Sequence, residues 1–227
     1  MRFVGLAAIL ILPASAMGAN SVCYGTPSNG RLEGGVQLAK SGPNFEAYSS
    51  LGVVAGRTYV HSKVAGVVSD AYAALAGSKS DIKYVYGESG WKNGGRIKPH
   101  RTHQNGLSVD FMVPVRDAQG RSVPLPSGIW NKFGYSIEFD SKGRFEDLTI
   151  DFEAIAEHLY ALDAAAKAEG IALERVIFDP VLLPNLYKTR RGQFIKSNIS
   201  FMNGQAWVRH DEHYHVDFAV PCKSRKG

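Results

Sequence analysis

The chain has 227 residues, of which 44% are hydrophobic, 21% charged and 11% aromatic. That is enough apolar material for a sizeable core, and too little bias for a disordered chain, a coiled coil or a collagen-like repeat. The formal net charge of +5 comes from scattered Lys and Arg, so no basic stripe with interleaved aromatics points to nucleic acid. The one uninterrupted apolar run, Phe3–Leu12, is too short to cross a bilayer as a helix.

That run has another reading. Met1-Arg2 is a positive start, Phe3–Leu12 an apolar stretch, Pro13 a breaker and Ala14-Ser15-Ala16 a small-residue cleavage pattern. This order predicts that residues 1–18 are an export signal, removed on delivery to the periplasm. The mature chain then has no integral membrane segment. Only two cysteines occur, Cys23 and Cys222, one near each end. In an oxidising compartment an isolated pair most simply forms one bridge.

Residues 20–45, rich in Gly, Ser, Pro and Asn, read as surface wrapping. Over Arg57–Gly77 the apolar positions Val60, Val64, Val67, Ala71, Ala74 and Leu75 follow a helical period. A second amphipathic helix is expected over Asp151–Glu169, capped by Asp151, with Ile155, Leu159 and Leu162 on one face and Gly170 as its stop. Strands are expected at Ile82–Tyr86, Leu107–Val113, Tyr135–Phe139, Arg175–Phe178 and Tyr214–Val220, with a turn at Asp140–Gly143. Residues 114–134 read as a long loop able to wall a groove. Without a βαβ rhythm, the class is α+β: a small, mainly antiparallel sheet with flanking helices.

Histidine placement carries the chemistry. Five of the 7 histidines fall in two windows, His100 with His103, and His210 with His213 and His215. The others, His61 and His158, lie in the two helical segments and read as surface or core. In the first window Leu107, Val109, Phe111 and Val113 form one face of a strand, while Ser108, Asp110 and Met112 point the other way. In the second, Tyr214, Val216, Phe218 and Val220 form the apolar face, and His213, His215 and Asp217 project from the opposite one. Both strands thus present metal-type side chains away from the core. A catalytic zinc takes three protein ligands and keeps a fourth position for water, a set that His103, Asp110 and one or two of His213 and His215 could supply. No HExxH sequence and no four-cysteine site is present.

At these residues the chain resembles the penicillin-insensitive murein endopeptidases, part of a wider zinc D-peptidase fold that includes lysostaphin-like enzymes, D-alanyl-D-alanine peptidases and hedgehog domains. The matching text is Gly94-Gly95, then His100-x-x-His103-Gln104-x-Gly106-Leu107-x-x-Asp110, then Trp207-x-x-His210-x-x-His213-x-His215, closing at Pro221-Cys222. The resemblance implies Zn2+ held by His103, Asp110 and His215, with His213 as general base. It makes His100 and His210 contacts to ligands or substrate, either one a candidate donor to a developing oxyanion. Glu212 is the rival base, because it precedes His215 by three residues as the catalytic acid does in the related dipeptidases. Strand parity favours His213, since Glu212 would point to the opposite side.

The function so implied is a β-lactam-insensitive zinc metallo-endopeptidase, formed by residues 19–227 as a single domain. It would cut peptidoglycan cross-links of the D-alanyl-diaminopimelate type and also of the diaminopimelate-diaminopimelate type. Two alternatives stand beside it. One is a D,D-carboxypeptidase or dipeptidase on stem peptides; the other is a non-catalytic, zinc-containing wall-binding or secretion-associated module. Nothing in the sequence fixes an oligomeric state.

Overall fold

The computed structural model describes residues 20–78 and 81–225, so the expected export segment at 1–18 lies outside the described residues. The chain opens with a hairpin of β1 (Val22–Thr26) and β2 (Asn29–Glu33), where irregular wrapping was expected. The turn-forming composition serves the tip, where the Thr26 hydroxyl accepts from the Asn29 amide at 3.1 Å. Cys23 and Leu32, cross-strand partners, are both buried.

The main elements follow as β3 (Phe45–Ala47), α1 (Ser62–Gly77), β4 (Tyr84–Tyr86), β5 (Ser108–Met112), α2 (Phe152–Ala168), β6 (Ala172–Ile177) and β7 (His213–Ala219). They build a five-stranded sheet of order β6-β7-β5-β4-β3. Every neighbouring pair is antiparallel except β3 with β4. Two-stranded and four-stranded antiparallel sheets surround it. The architecture is therefore α+β and mainly antiparallel, as expected. Among the described residues no helix is long and apolar enough to cross a membrane.

Helix α1 begins at Ser62 rather than Arg57, because Tyr59 and Val60 pair with Gln37 and Val36 as a short strand. His61 caps it, its Nδ1 accepting from the Lys63 amide at 3.2 Å. The buried stripe includes Val64, Val67, Val68, Ala71, Tyr72 and Leu75, with Tyr72 in place of the expected Ala74. Helix α2 matches its expectation closely: Asp151 Oδ1 accepts from the Ala154 amide at 3.0 Å, and Gly170, at φ +68°, ends the segment. Both helices cover the sheet face made by Val109, Phe111, Tyr214 and Val216. Tyr72 meets Phe111 edge-on with ring centres 6.5 Å apart, and His158 meets it at 4.7 Å.

Tyr135–Phe139 is not a strand. Ile137 and Phe139 are buried and their neighbours Ser136 and Glu138 exposed, so the alternation is real, but no ladder is made. The Ile137 amide turns back to the Gly134 carbonyl and the Phe139 amide bonds the Asp211 carboxylate. The stretch 114–134 is more ordered than a loop, since Val115–Arg116 pairs with Ser122–Val123 and with Leu148–Ile150. The Asp140–Gly143 turn is present, Asp140 Oδ1 accepting from the Lys142 and Arg144 amides. Helices at Leu183–Leu186 and Gly192–Asn198 were not anticipated.

The two cysteines are bonded, with Cα atoms 4.8 Å apart across a separation of 199 residues. Backbone bonds from Gly25 to Lys223 and from Lys223 to Cys23 reinforce the closure. Reduction, or Cys23→Ser with Cys222→Ser, should lower the unfolding free energy by about 2–4 kcal/mol. Chemical denaturation with and without reductant checks this; coincident curves would count against it.

His158 supplies a second test. Its ring is fully buried, Nδ1 lies 2.5 Å from the Tyr214 hydroxyl, and burial pushes its pKa from 6.5 down to about 3. Below pH 6.5 the unfolded chain takes up a proton that the native state refuses until about pH 3. This contribution is complete above 6.5 and fades as pH falls toward 3, by up to about 1.4 kcal/mol per pH unit. The stability gap between the parent chain and His158→Gln should therefore narrow from pH 7 to pH 4 in denaturant titrations. Parallel pH profiles would refute the assignment.

Candidate functional site

The sheet face turned away from α1 and α2 holds the polar cluster. In the register of β5 with β7, Asp110 lies opposite His215, Met112 opposite His213 and Ser108 opposite Asp217. The parity read from sequence holds, with one addition: this face is also buried. Asp110, His213, His215 and Asp217 are each at most 3% exposed. Segments 87–106, 134–139 and 207–212 supply the residues that meet the cluster from the other side. Gly87 permits the close approach, because a Cβ there would sit 2.6 Å from the Tyr135 hydroxyl oxygen and 2.9 Å from Asp110 Cβ.

Two rings converge on one oxygen. His103 Nε2 lies 3.2 Å and His215 Nδ1 2.9 Å from Asp110 Oδ1. The far side of each ring is committed elsewhere: His103 Nδ1 meets the Ser89 carbonyl at 3.1 Å, and His215 Nε2 meets Asp217 Oδ1 at 2.8 Å. A carbonyl can only accept, and Asp217 is already the acceptor for Ser108 Oγ at 2.6 Å and Arg175 at 2.6 Å. The ring hydrogens therefore sit on those outer nitrogens in the neutral rings. In that neutral form the inner nitrogen of His103 directs a lone pair at a carboxylate oxygen and is a buried atom with no hydrogen-bond partner, whereas His215 Nδ1, once protonated, donates to Asp110 Oδ1. An acceptor nitrogen facing a carboxylate in a dry site is stabilised by positive charge, whether a proton or a metal ion.

The charge balance agrees. Burial opposes charge on His215, yet Asp217 and Asp110 outweigh it and carry the ring up to about 10. Burial likewise opposes ionisation of Asp110, but the surrounding histidines hold it well below the usual carboxylate range. The spot draws positive charge. His103 occupies the left-handed region, φ +66°, a conformation costing a non-glycine residue roughly 1 kcal/mol and typical of positions held for a purpose. Among the described residues the compact group able to hold a metal ion is His100, His103 and Asp110, with one ligand atom from each within 4.8 Å of the others. His100 Nδ1 is 3.8 Å from Asp110 Oδ2, while its Nε2 binds Glu88 Oε2 at 2.5 Å.

The remaining histidines flank this centre. His213 Nε2 faces Asp110 Oδ2 at 3.9 Å and its Nδ1 meets Glu212 Oε1 at 2.9 Å. Burial lowers His213 to about 4 and raises Glu212 to about 8. Glu212 precedes the strand, and its contact is with the back of His213. His210, lowered to about 3 chiefly by burial, has Nδ1 2.8 Å from the Val208 carbonyl. In its neutral form His210 turns an acceptor nitrogen away from the Val208 carbonyl; to donate to an oxyanion with it the ring must first be protonated. His61 and His158 take no part.

Sequence reasoning missed Glu88 and Tyr135. Burial opposes ionisation of Glu88, but His100 and Arg57 hold it at about 2. The Tyr135 hydroxyl accepts from the Glu88 amide at 3.0 Å and donates to Asp110 Oδ2 at 3.0 Å. Neither residue carries a local signal, since each reaches the site from outside the regular strands and helices. A hollow of about 300 Å³ adjoins His210, bounded by Phe178, Val181, Gln205, Val208 and Arg209. A larger one, about 940 Å³ along α1 and α2, contains none of the clustered histidines.

An α+β domain with helices on one sheet face and a buried histidine–carboxylate cluster on the other is consistent with a zinc D-peptidase-like fold. The chain belongs to the penicillin-insensitive murein endopeptidase family, whose sequence model matches residues 23–227. It is therefore a peptidase of a murein-acting family. Among curated proteins none matches the chain significantly.

Tyr135→Phe should weaken metal affinity about tenfold while leaving the fold intact, because it removes the hydroxyl that orients Asp110. Metal titration followed by circular dichroism checks this; an unchanged affinity would show that the hydroxyl has no orienting role.

Proposed function

We propose that the mature chain, residues 19–227, is a single-domain zinc endopeptidase. It is exported by residues 1–18 and cuts D-alanyl-diaminopimelate cross-links, and diaminopimelate-diaminopimelate links, of periplasmic peptidoglycan. The observation that carries this reading is the convergence of His103 Nε2 and His215 Nδ1 on Asp110 Oδ1. His103, Asp110 and His215 are the residues we assign to Zn2+, a set of nitrogen and oxygen donors suited to it. Bound there, zinc supplies Lewis acidity, polarising the scissile carbonyl and making a water nucleophilic near neutral pH.

His213 is assigned as the base. Its Nδ1 is committed to Glu212, which fixes the ring, and its Nε2 faces the Asp110 side of the centre. A ring lowered to about 4 is neutral at physiological pH and free to accept the proton of the attacking water. The same nitrogen then returns that proton to the leaving amine. Glu212 is assigned to positioning, because it touches His213 and not Asp110. His100 links the centre to Glu88, and His210 borders the adjoining hollow, where it contacts substrate. No serine nucleophile takes part, so β-lactams have nothing to acylate.

The expected metal content is one zinc per chain, lost on acidification as the ligand histidines protonate. His103→Ala, Asp110→Ala and His215→Ala should lose zinc and turnover together, whereas His213→Ala should keep most zinc and lose turnover. Glu212→Gln should retain partial turnover. Metal analysis combined with mass spectrometry of products from soluble muropeptide dimers decides among the readings. Monomers support the endopeptidase, free D-alanine a carboxypeptidase, and unchanged dimers a non-catalytic module. Full activity in His213→Ala with none in Glu212→Gln would transfer the base to Glu212.

A further inference from the structure

Every arginine that meets the buried cluster is already paired. Arg57 is bonded to Glu88, Arg175 to Asp217 at 2.6 Å and Arg209 to Asp179 at 2.7 Å. Arg101 differs. It is exposed, has no carboxylate partner among the described residues, and follows His100 directly in the chain. Its guanidinium lies over the Trp207 ring, 4.9 Å from the centroid. Trp207 is itself 49% exposed and sits three residues before His210. The pair thus joins the two histidine windows at the edge of the site, beside the hollow next to His210. The segment between Trp91 and Gly106 also carries Lys92, Arg96, Lys98 and Arg101 without a single Asp or Glu.

Stacking on an aromatic ring holds a guanidinium in place and leaves its edge of N–H donors open. That edge matches a carboxylate. We propose that Arg101, braced by Trp207, is a specificity-determining residue that binds a free carboxylate of the stem peptide: the one on the diaminopimelate carbon bearing the scissile amide nitrogen. This rests on the endopeptidase reading above for the identity of the peptide. Arg101 acts on binding, and no proton passes through it.

The test uses soluble D-alanyl-diaminopimelate dimers with that carboxylate either free or amidated, and the full mature chain loaded with zinc. The parent should favour the free dimer about tenfold in kcat/KM, the size of one lost charged hydrogen-bond pair. Arg101→Gln should abolish that preference through KM, with metal content unchanged, and Arg101→Lys should restore part of it. Tryptophan fluorescence titration with the same dimers reads binding without needing turnover. A parent chain that binds the free dimer more tightly but cuts neither supports the role of Arg101 and overturns the endopeptidase reading. Equal binding of both dimers by the parent, or a preference that survives Arg101→Gln, overturns the role of Arg101.

Discussion

Asp110 and His215 face each other across two antiparallel strands, and that pairing is the constraint on which the site depends. Directly opposed residues in such a ladder bring their side chains within about 5 Å, whatever the loops do. A slip of one residue between β5 and β7 would move the aspartate or the histidine into the helix-covered core. The register is protected by that same core, because Phe111, Tyr214 and Val216 fill the opposite face and lock against Tyr72 and His158. Packing on one side of the sheet therefore guarantees chemistry on the other.

Burying this many ionisable groups is costly unless each has a partner, and the partners are arranged in chains. Arg175 and Ser108 hold Asp217, which holds His215, which faces Asp110. On the other flank Arg57 holds Glu88, which holds His100. The Glu88 amide meets Tyr135, whose hydroxyl reaches the second oxygen of Asp110. Both chains end at one carboxylate, beside which His103 Nε2 has no hydrogen-bond partner. This polarity favours positive charge at the cluster and fixes the orientation of its side chains.

The irregular backbone has an equally specific part. Glu212 lies just before β7, where strand parity no longer governs direction, and its carboxylate folds against His213. Parity alone sets the two residues on opposite sides; the backbone at Asp211 and Glu212 makes them partners, one fixing the other. The left-handed backbone at His103 is a second local departure from regular structure that aims a site residue.

The sequence by itself determined which strand faces carry metal-type side chains, that two long amphipathic helices form, and that one cysteine pair closes the chain. Each rests on a short-range rule, a period of two, a period near 3.6, or a count of two thiols, and short-range rules are written locally. The family motifs around His100–Asp110 and Trp207–His215 were legible for the same reason. Only the tertiary structure decided that the polar face is buried, that Glu88 and Tyr135 complete it, and that Tyr135–Phe139 alternates without pairing. Those outcomes depend on segments far apart in sequence meeting over one sheet face, where the amide of Phe139 finds a carboxylate instead of a strand. No local pattern encodes such a partner, because what selects it is the space and the unpaired charge left by the rest of the fold.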